Sequence, residues 1–279
     1  METRAPHHER IASPELRQAV ALLDAGDAAG LRAHLQAHPG LTREHASFPG
    51  ESYFQTPTLL EFIAENPIRH GRLPANILEI ARVILAAGVD QAAVDETLLL
   101  VTTGCVARQC RLQIPLIDLL CDHGAEMDTA VRAAALHGEH EATKALLERG
   151  ARLDLPIAAA LGRADDLIAL LPAADAADRH IALAAAAQFG HLEIVRALLD
   201  AGEDPNRYNP PGAHPHSTPL HQAGYAGHDA VVRLLVERGA RLDLRDTIYE
   251  GTAADWAFHG EHPEIEAWLR AREADIAKP

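Results

Sequence analysis

Short apolar stripes at helical spacing, each closed by a glycine, run through most of the 279-residue chain. The clearest lies at residues 218–243, TPLHQAGYAGHDAVVRLLVERGARLD. Val231, Leu234 and Leu235 fall at i, i+3 and i+4, so they share one helix face. Thr218 is a predicted N-cap, and Pro219 takes the first helical position, where its missing N–H is harmless. The first helix carries small residues, Ala223, Gly224 and Ala226, which calls for a closely packed neighbour. Gly227 and His228 break the chain, Asp229 opens a second helix, and Gly239 supplies a left-handed stop after Arg238. Two helices this short cannot bury their apolar faces on each other alone. They need stacked copies of themselves.

The copies are present. The stop recurs around Gly88, Gly124, Gly150, Gly202 and Gly239, at intervals of 36, 26, 52 and 37 residues. The interval of 52 is twice that of 26, which places one degenerate unit between Gly150 and Gly202. The T-P-L-H-x-A hexamer at 218–223, with the Gly-His and RLLVERGA that follow, resembles the ankyrin repeat. GHLEIVRALLDAGEDPN at 190–206 does so too. The resemblance covers most of residues 14–272. It implies an all-α ankyrin-repeat solenoid of about seven to eight helix pairs with short β-hairpin fingers. The pattern then reads as a single domain over 14–279, capped at about 14–41 and 252–272. Residues 1–13 read as disordered or loosely attached.

The departures from the repeat are local. Residues 42–55 form a connection with a turn signal at Pro49–Gly50. The stretches 65–76 and 104–113 are inserted between the two helices of their units. The finger at 207–217, RYNPPGAHPHS, is about four residues longer than the repeat uses.

Composition narrows the function classes. Acidic residues outnumber basic ones 40 to 25, for a net charge of −15. Nucleic acid is therefore not an expected partner, since phosphate binding needs a basic face. No apolar run approaches a membrane span, and the N-terminus has no apolar signal core. The three cysteines do not make a disulfide framework. A cytoplasmic monomer without a cofactor is the expectation.

Candidate chemistry centres on histidine. His140, His191, His228 and His262 sit at the inter-helix turn and read as structural. His221 is the histidine of the TPLH hexamer, which in the family ties neighbouring fingers together. His7 and His8 read as solvated. His214 and His216 flank Pro215, and an H-x-H pair on an extended segment points both rings to one side, a workable metal-ligand arrangement. A third ligand would come from His221, Asp246 or a neighbouring unit. The alternative is a polar loop stiffened by Pro210, Pro211 and Pro215. Cys105, Cys110, Cys121 and His123 fit no usual zinc spacing, and Cys121 reads as a small buried hydrophobe. No metal site is expected beyond the weak candidates His214 and His216.

The resemblance also implies groove positions, the two residues before each inter-helix Gly-His or Glu-His. These are His137 with Gly138, Gln188 with Phe189, Tyr225 with Ala226, and His259 with Gly260. Trp256, and Tyr208 on the long finger, extend the partner-binding set. The resulting expectation is a non-enzymatic module that holds a partner protein, or a small molecule, in a concave groove. The acidic chain suggests a basic or mixed-charge partner. The alternative is a small-molecule enzyme or metal-dependent hydrolase at finger 207–217 and the adjoining groove. It would use His214, His216, His221, Asp246 and Tyr249, with Tyr208 beside them, as acid–base groups or ligands.

Overall fold

The computed structural model describes residues 7–51 and 53–276, and its regular elements are helices throughout. Chain contacts group into two units, Met1–Arg152 and Leu153–Pro279. In the first unit, Pro14–Ala25 pairs with Ala28–Ala37, and the 3-10 turn Leu60–Ala64 pairs with Ile77–Ala86. Gln91–Thr103 pairs with Gln113–Asp122, and Met127–Leu136 with His140–Glu148. In the second unit the pairs are Leu155–Ala160 with Ala164–Leu170, and Ala176–Phe189 with Leu192–Asp200. Pro219–Tyr225 with Asp229–Glu237 and Ala253–His259 with Pro263–Ile276 complete it. From Leu60–Ala64 onward in the first unit, and throughout the second, the first helix of a pair packs on the first helix of the next, whereas Ala28–Ala37 packs on Ile77–Ala86.

The start of the chain carries contacts of its own from His7 onward. Residues 1–6 lie outside the described residues, but His7–Arg10 is helical and Ile11 is 1% exposed. Arg10 pairs with Glu51 at 2.9 Å and lies over the Phe48 ring. Ser13 caps the helix Pro14–Ala25, as its place before proline and glutamate favours. The connection after residue 42 is likewise built around a core of its own. Phe48, Phe54 and Phe62 meet with ring centroids 5.3–6.4 Å apart.

Both insertions are tied down by buried polar groups. Glu65 is 1% exposed, and it accepts from the Arg69 and His70 N–H groups while pairing with Arg69 Nε at 3.3 Å. The same guanidinium reaches Asp24 and the Phe62 carbonyl and covers the Phe62 ring. In the second insertion, Cys105–Gln109 forms a short helix and Gln113 donates to the Val101 carbonyl. All three cysteines are unpaired and half-buried. Burial pushes the Cys121 thiol up.

Among the described residues no segment is a strand, so the fingers are not the expected β-hairpins. In the long finger, Asn209 N–H bonds the Ser217 carbonyl, but Pro210, Pro211 and Pro215 have no N–H to extend a ladder. Side chains also join the fingers. Asn206 donates to the Gly239 carbonyl and accepts from Arg241 N–H. Gln91 makes the equivalent link to Gly124.

Repeat spacing in the second unit is set at the inter-helix turns. Gly162, Gly190 and Gly227 have φ of 70°, 79° and 80°, the left-handed conformation that favours glycine. A Cβ on each would stand 2.7, 2.5 and 2.4 Å from the ring of His191, His228 and His262, respectively, in the next repeat. His191 Nε2 and His228 Nε2 then reach the Ala160 and Gln188 carbonyls, both at 3.0 Å. Turn shape and neighbour packing are therefore one constraint. Gly190→Ala should destabilise the protein by about 2 kcal/mol or more, through backbone strain plus overpacking. Gly239→Ala, with φ of 90° but open space around it, should lose only the strain component. Urea unfolding of both variants checks this. Equal losses would mean that the histidine ring does not fix the spacing.

Candidate functional site

The long finger and the loop that follows the next repeat lie side by side in the second unit. Thr247 N–H bonds the His216 carbonyl at 2.9 Å, and Tyr208 Oη donates to the Arg245 carbonyl at 2.6 Å. The loop itself is wound around one carboxylate. Asp246, 2% exposed, accepts from the N–H groups of Ile248 and Tyr249 on Oδ1. Its Oδ2 accepts from Gly251 N–H and Trp256 Nε1, each at 2.9 Å. Burial alone would raise the carboxyl's pKa, but these four donors outweigh it and hold the value at about 2. The charge is a structural fixture. It orients the Trp256 indole and fixes the turn that carries Tyr249 and Glu250.

His221 is equally committed. Its Nδ1 accepts from the Thr218 N–H at 3.3 Å and the Thr218 hydroxyl at 2.7 Å, closing the helix N-terminus. Its Nε2 donates to the Gly251 carbonyl at 3.1 Å. One nitrogen that accepts and one that donates describe a neutral ring. Burial pushes its pKa down, against the opposing pull of the Gly251 carbonyl and Asp246.

His214 and His216 do not sit on an extended segment. His214 has φ of 60°, and Ser217 N–H folds back to its carbonyl in a turn through Pro215. The two rings meet edge to face at 6.0 Å. His216 packs on Trp256 at 5.6 Å and lies 6.5 Å from the Tyr249 ring. Among the described residues, no three His, Cys, Asp or Glu side chains form a metal-ligand group. Of the acid–base candidates, His221 and Asp246 thus spend their polar atoms on the backbone and Trp256, and Tyr249 is 76% exposed.

What these contacts build is a groove. It encloses about 590 Å³ and is lined by Tyr225, Tyr249, Glu250, Asp255, Trp256 and Phe258, with Gly251 and His259. Tyr225 is 52% and Phe258 59% exposed, beside the half-buried Trp256. The Tyr225 and Trp256 rings stand at 74° with centroids 5.9 Å apart, two walls of a corner. Behind Tyr225, Gly260 allows its carbonyl to come close, since a Cβ there would stand 2.1 Å from that oxygen.

The structure brings Tyr225, Trp256 and His259 of the expected partner-binding set into this groove. Gln188 and Phe189 are half-buried at the end of Ala176–Phe189 and are not among its lining residues. Tyr208 is held on the finger through its hydroxyl. His137 is exposed in the first unit, as the last cap of Met127–Leu136. Phe258, Glu250 and Asp255 were not expected. The repeat phase selects His259 and Gly260, and Phe258 stands one residue before them.

The molecule's relatives agree with this architecture. A family model for ankyrin repeats (3 copies) matches residues 104–209, 155–246 and 183–278, more than half of the chain. Mouse ankyrin repeat and SAM domain-containing protein 6 is 33% identical over 113 residues, 40% of this chain and 12% of that protein. The Caenorhabditis elegans E3 ubiquitin-protein ligase hecd-1 is 43% identical over 61 residues, 22% of this chain and 2% of its own. Rice probable E3 ubiquitin-protein ligase XBOS32 is 39% identical over 72 residues, 26% of this chain and 14% of its own. The chain spans only a small part of these relatives. Among the described residues no helix is long and apolar enough to cross a membrane.

The Asp246 network yields a pH prediction. Its pKa is lowered from 3.8 to about 2 on folding, so its stabilisation is present above pH 3.8 and disappears as pH falls through 2. The shift corresponds to about 2 kcal/mol. Asp246→Asn should lose about that much at pH 6, because an amide offers one acceptor oxygen to four donors. Urea midpoints for wild type and variant should converge as pH drops below about 4. A gap that stays constant down to acid unfolding would show that the charge is not the stabilising feature.

Proposed function

The chain belongs to the ankyrin-repeat family, and we propose that it is a recognition module binding a protein partner in the groove of its second unit. Ankyrin repeats are generally protein–protein interaction modules, so the family supports a partner and the site supports where it docks. The observation that carries the proposal is the cluster of Tyr225, Tyr249 and Phe258, left largely in solvent around a half-buried Trp256. Large exposed rings gathered on a rigid floor are the usual anchors of an interface. The second unit also explains why they are rigid: Asp246 and Gly260 fix the segments that carry them. In this proposal the protein acts in the cytoplasm as a monomer and needs no cofactor. Its net charge of −15 favours a basic or mixed-charge partner over nucleic acid.

Tyr225→Ala and Phe258→Ala should leave the melting temperature nearly unchanged, since both side chains are mostly in solvent. Each should weaken partner binding by about 2 kcal/mol, roughly 30-fold. The partner is to be recovered by cross-linking from native lysate, and the affinities measured on the purified pair. Undiminished affinity in both variants would remove the groove from the interface. A collapse in melting temperature would instead assign the rings to the core.

A further inference from the structure

The groove joins aromatic faces to an unneutralised carboxylate. Of its two acidic side chains, Asp255 is already paired with Arg270 at 3.1 Å and accepts from Thr252 N–H. Glu250 makes no ion pair among the described residues. Arg245 comes near, but its Nη1 donates to the Glu250 carbonyl, 2.6 Å away, and not to the carboxylate. The Glu250 backbone has φ of 56°, and the Asp246 turn around it fixes where the side chain leaves the loop.

The rings are equally without a cation of their own. Elsewhere the chain places arginine over an aromatic face repeatedly. Arg10 lies over Phe48, Arg69 over Phe62, and Arg233 and Arg272 over Trp268, with centroid distances of 4.7–5.1 Å. Among the described residues, no such cation covers Tyr225, Tyr249, Trp256 or Phe258. A face of negative quadrupole beside a free carboxylate attracts a positive group. The rings that line the groove are largely in solvent, so its occupant keeps part of its hydration. A guanidinium suits that better than a compact ammonium: it is flat, weakly hydrated, stacks on rings and still presents N–H groups to a carboxylate.

We propose that this corner is the seat for an arginine side chain of the partner, laid on the exposed ring of Tyr225 beside Trp256 with its N–H edge on Glu250. The partner is then a protein segment with an exposed arginine, in keeping with the chain's net charge of −15. This rests on the groove being the binding surface, as proposed above, and adds the chemistry it selects.

Ethylguanidinium tests the seat directly, because it needs no identified partner. The chain has two tryptophans, so the indole N–H signals of Trp256 and Trp268 are easily told apart by substitution. Trp268, already covered by two arginines, is the internal reference. Titration of the whole protein should give a saturable shift of the Trp256 signal in the millimolar range expected of so small a ligand. Trp268 should stay still. Glu250→Gln should weaken binding about 2- to 5-fold, Tyr225→Ala should abolish it, and both should keep the wild-type amide spectrum. Propylammonium and tetramethylammonium should bind more weakly than ethylguanidinium. Absence of saturation, indifference to Glu250→Gln, or a preference for either ammonium would each overturn the arginine seat. Such a failure is separable from failure of the recognition proposal. A partner captured in a Tyr225-dependent way, with no ethylguanidinium site, keeps the docking surface and discards the arginine.

Discussion

A single contact, an imidazole ring laid against a glycine with no Cβ, governs how repeats of the second unit stack. The glycine must be left-handed to turn one helix into the next, and its bare α-carbon then leaves the only space into which the following histidine fits. Because the ring also donates to a carbonyl of the preceding repeat, distance and orientation are set together. A propensity argument sees only the turn. In the structure the turn and the inter-repeat contact share one glycine, and this Gly–His pair recurs in phase.

The same logic turns several chemically suggestive residues into scaffolding. A histidine and an aspartate near two phenols resemble acid–base equipment when taken as a list. Their surroundings tie both into the scaffold. His221 is neutral, with one nitrogen accepting and the other donating to main chain, and Asp246 is ionised and saturated with four donors. A catalytic group needs a free lone pair or proton aimed at open space. These two instead hold the floor of the groove, and the groove inherits its shape from them. Trp256 links the layers, donating to Asp246 on one side and presenting its ring to Tyr225 on the other.

Much of the fold was legible because its signals are local. Glycine phase, proline at the first helical position and the Thr–His cap of residues 218–221 each report on a few neighbouring atoms. The eight helix pairs among the described residues, one of them opened by the 3-10 turn Leu60–Ala64, follow from them. What could not be read was set by partners distant in sequence. The insertion at 65–76 looks like a loose loop until Arg69 is seen to bind Asp24, 45 residues away. The H-x-H reading assumed an extended chain, yet Pro215 favours a turn, and the Ser217 N–H closes it on His214. Phe258 escaped because residues two apart on a helix point to different sides, so Trp256 gives no hint of it. Only the loop wound around Asp246 makes them share a groove.

The division of labour within the last two repeats follows from these positions. Residues that face the neighbouring repeat, such as Ala223, Gly224, Ala253 and Ala257, are small and buried; a Cβ on Gly224 would come within 3.0 Å of the Ala253 carbonyl. Such positions cannot change without moving a neighbouring helix. Tyr225, Glu250 and Phe258 face outward from the same segments and touch little of the scaffold. Their identity is therefore largely free of the stacking constraint. An exposed ring contributes little to folding. Tyr225, Tyr249 and Phe258 line the groove beside an unpaired carboxylate, on segments positioned by a buried charge and a bare glycine, and that placement is what supports the docking surface proposed above.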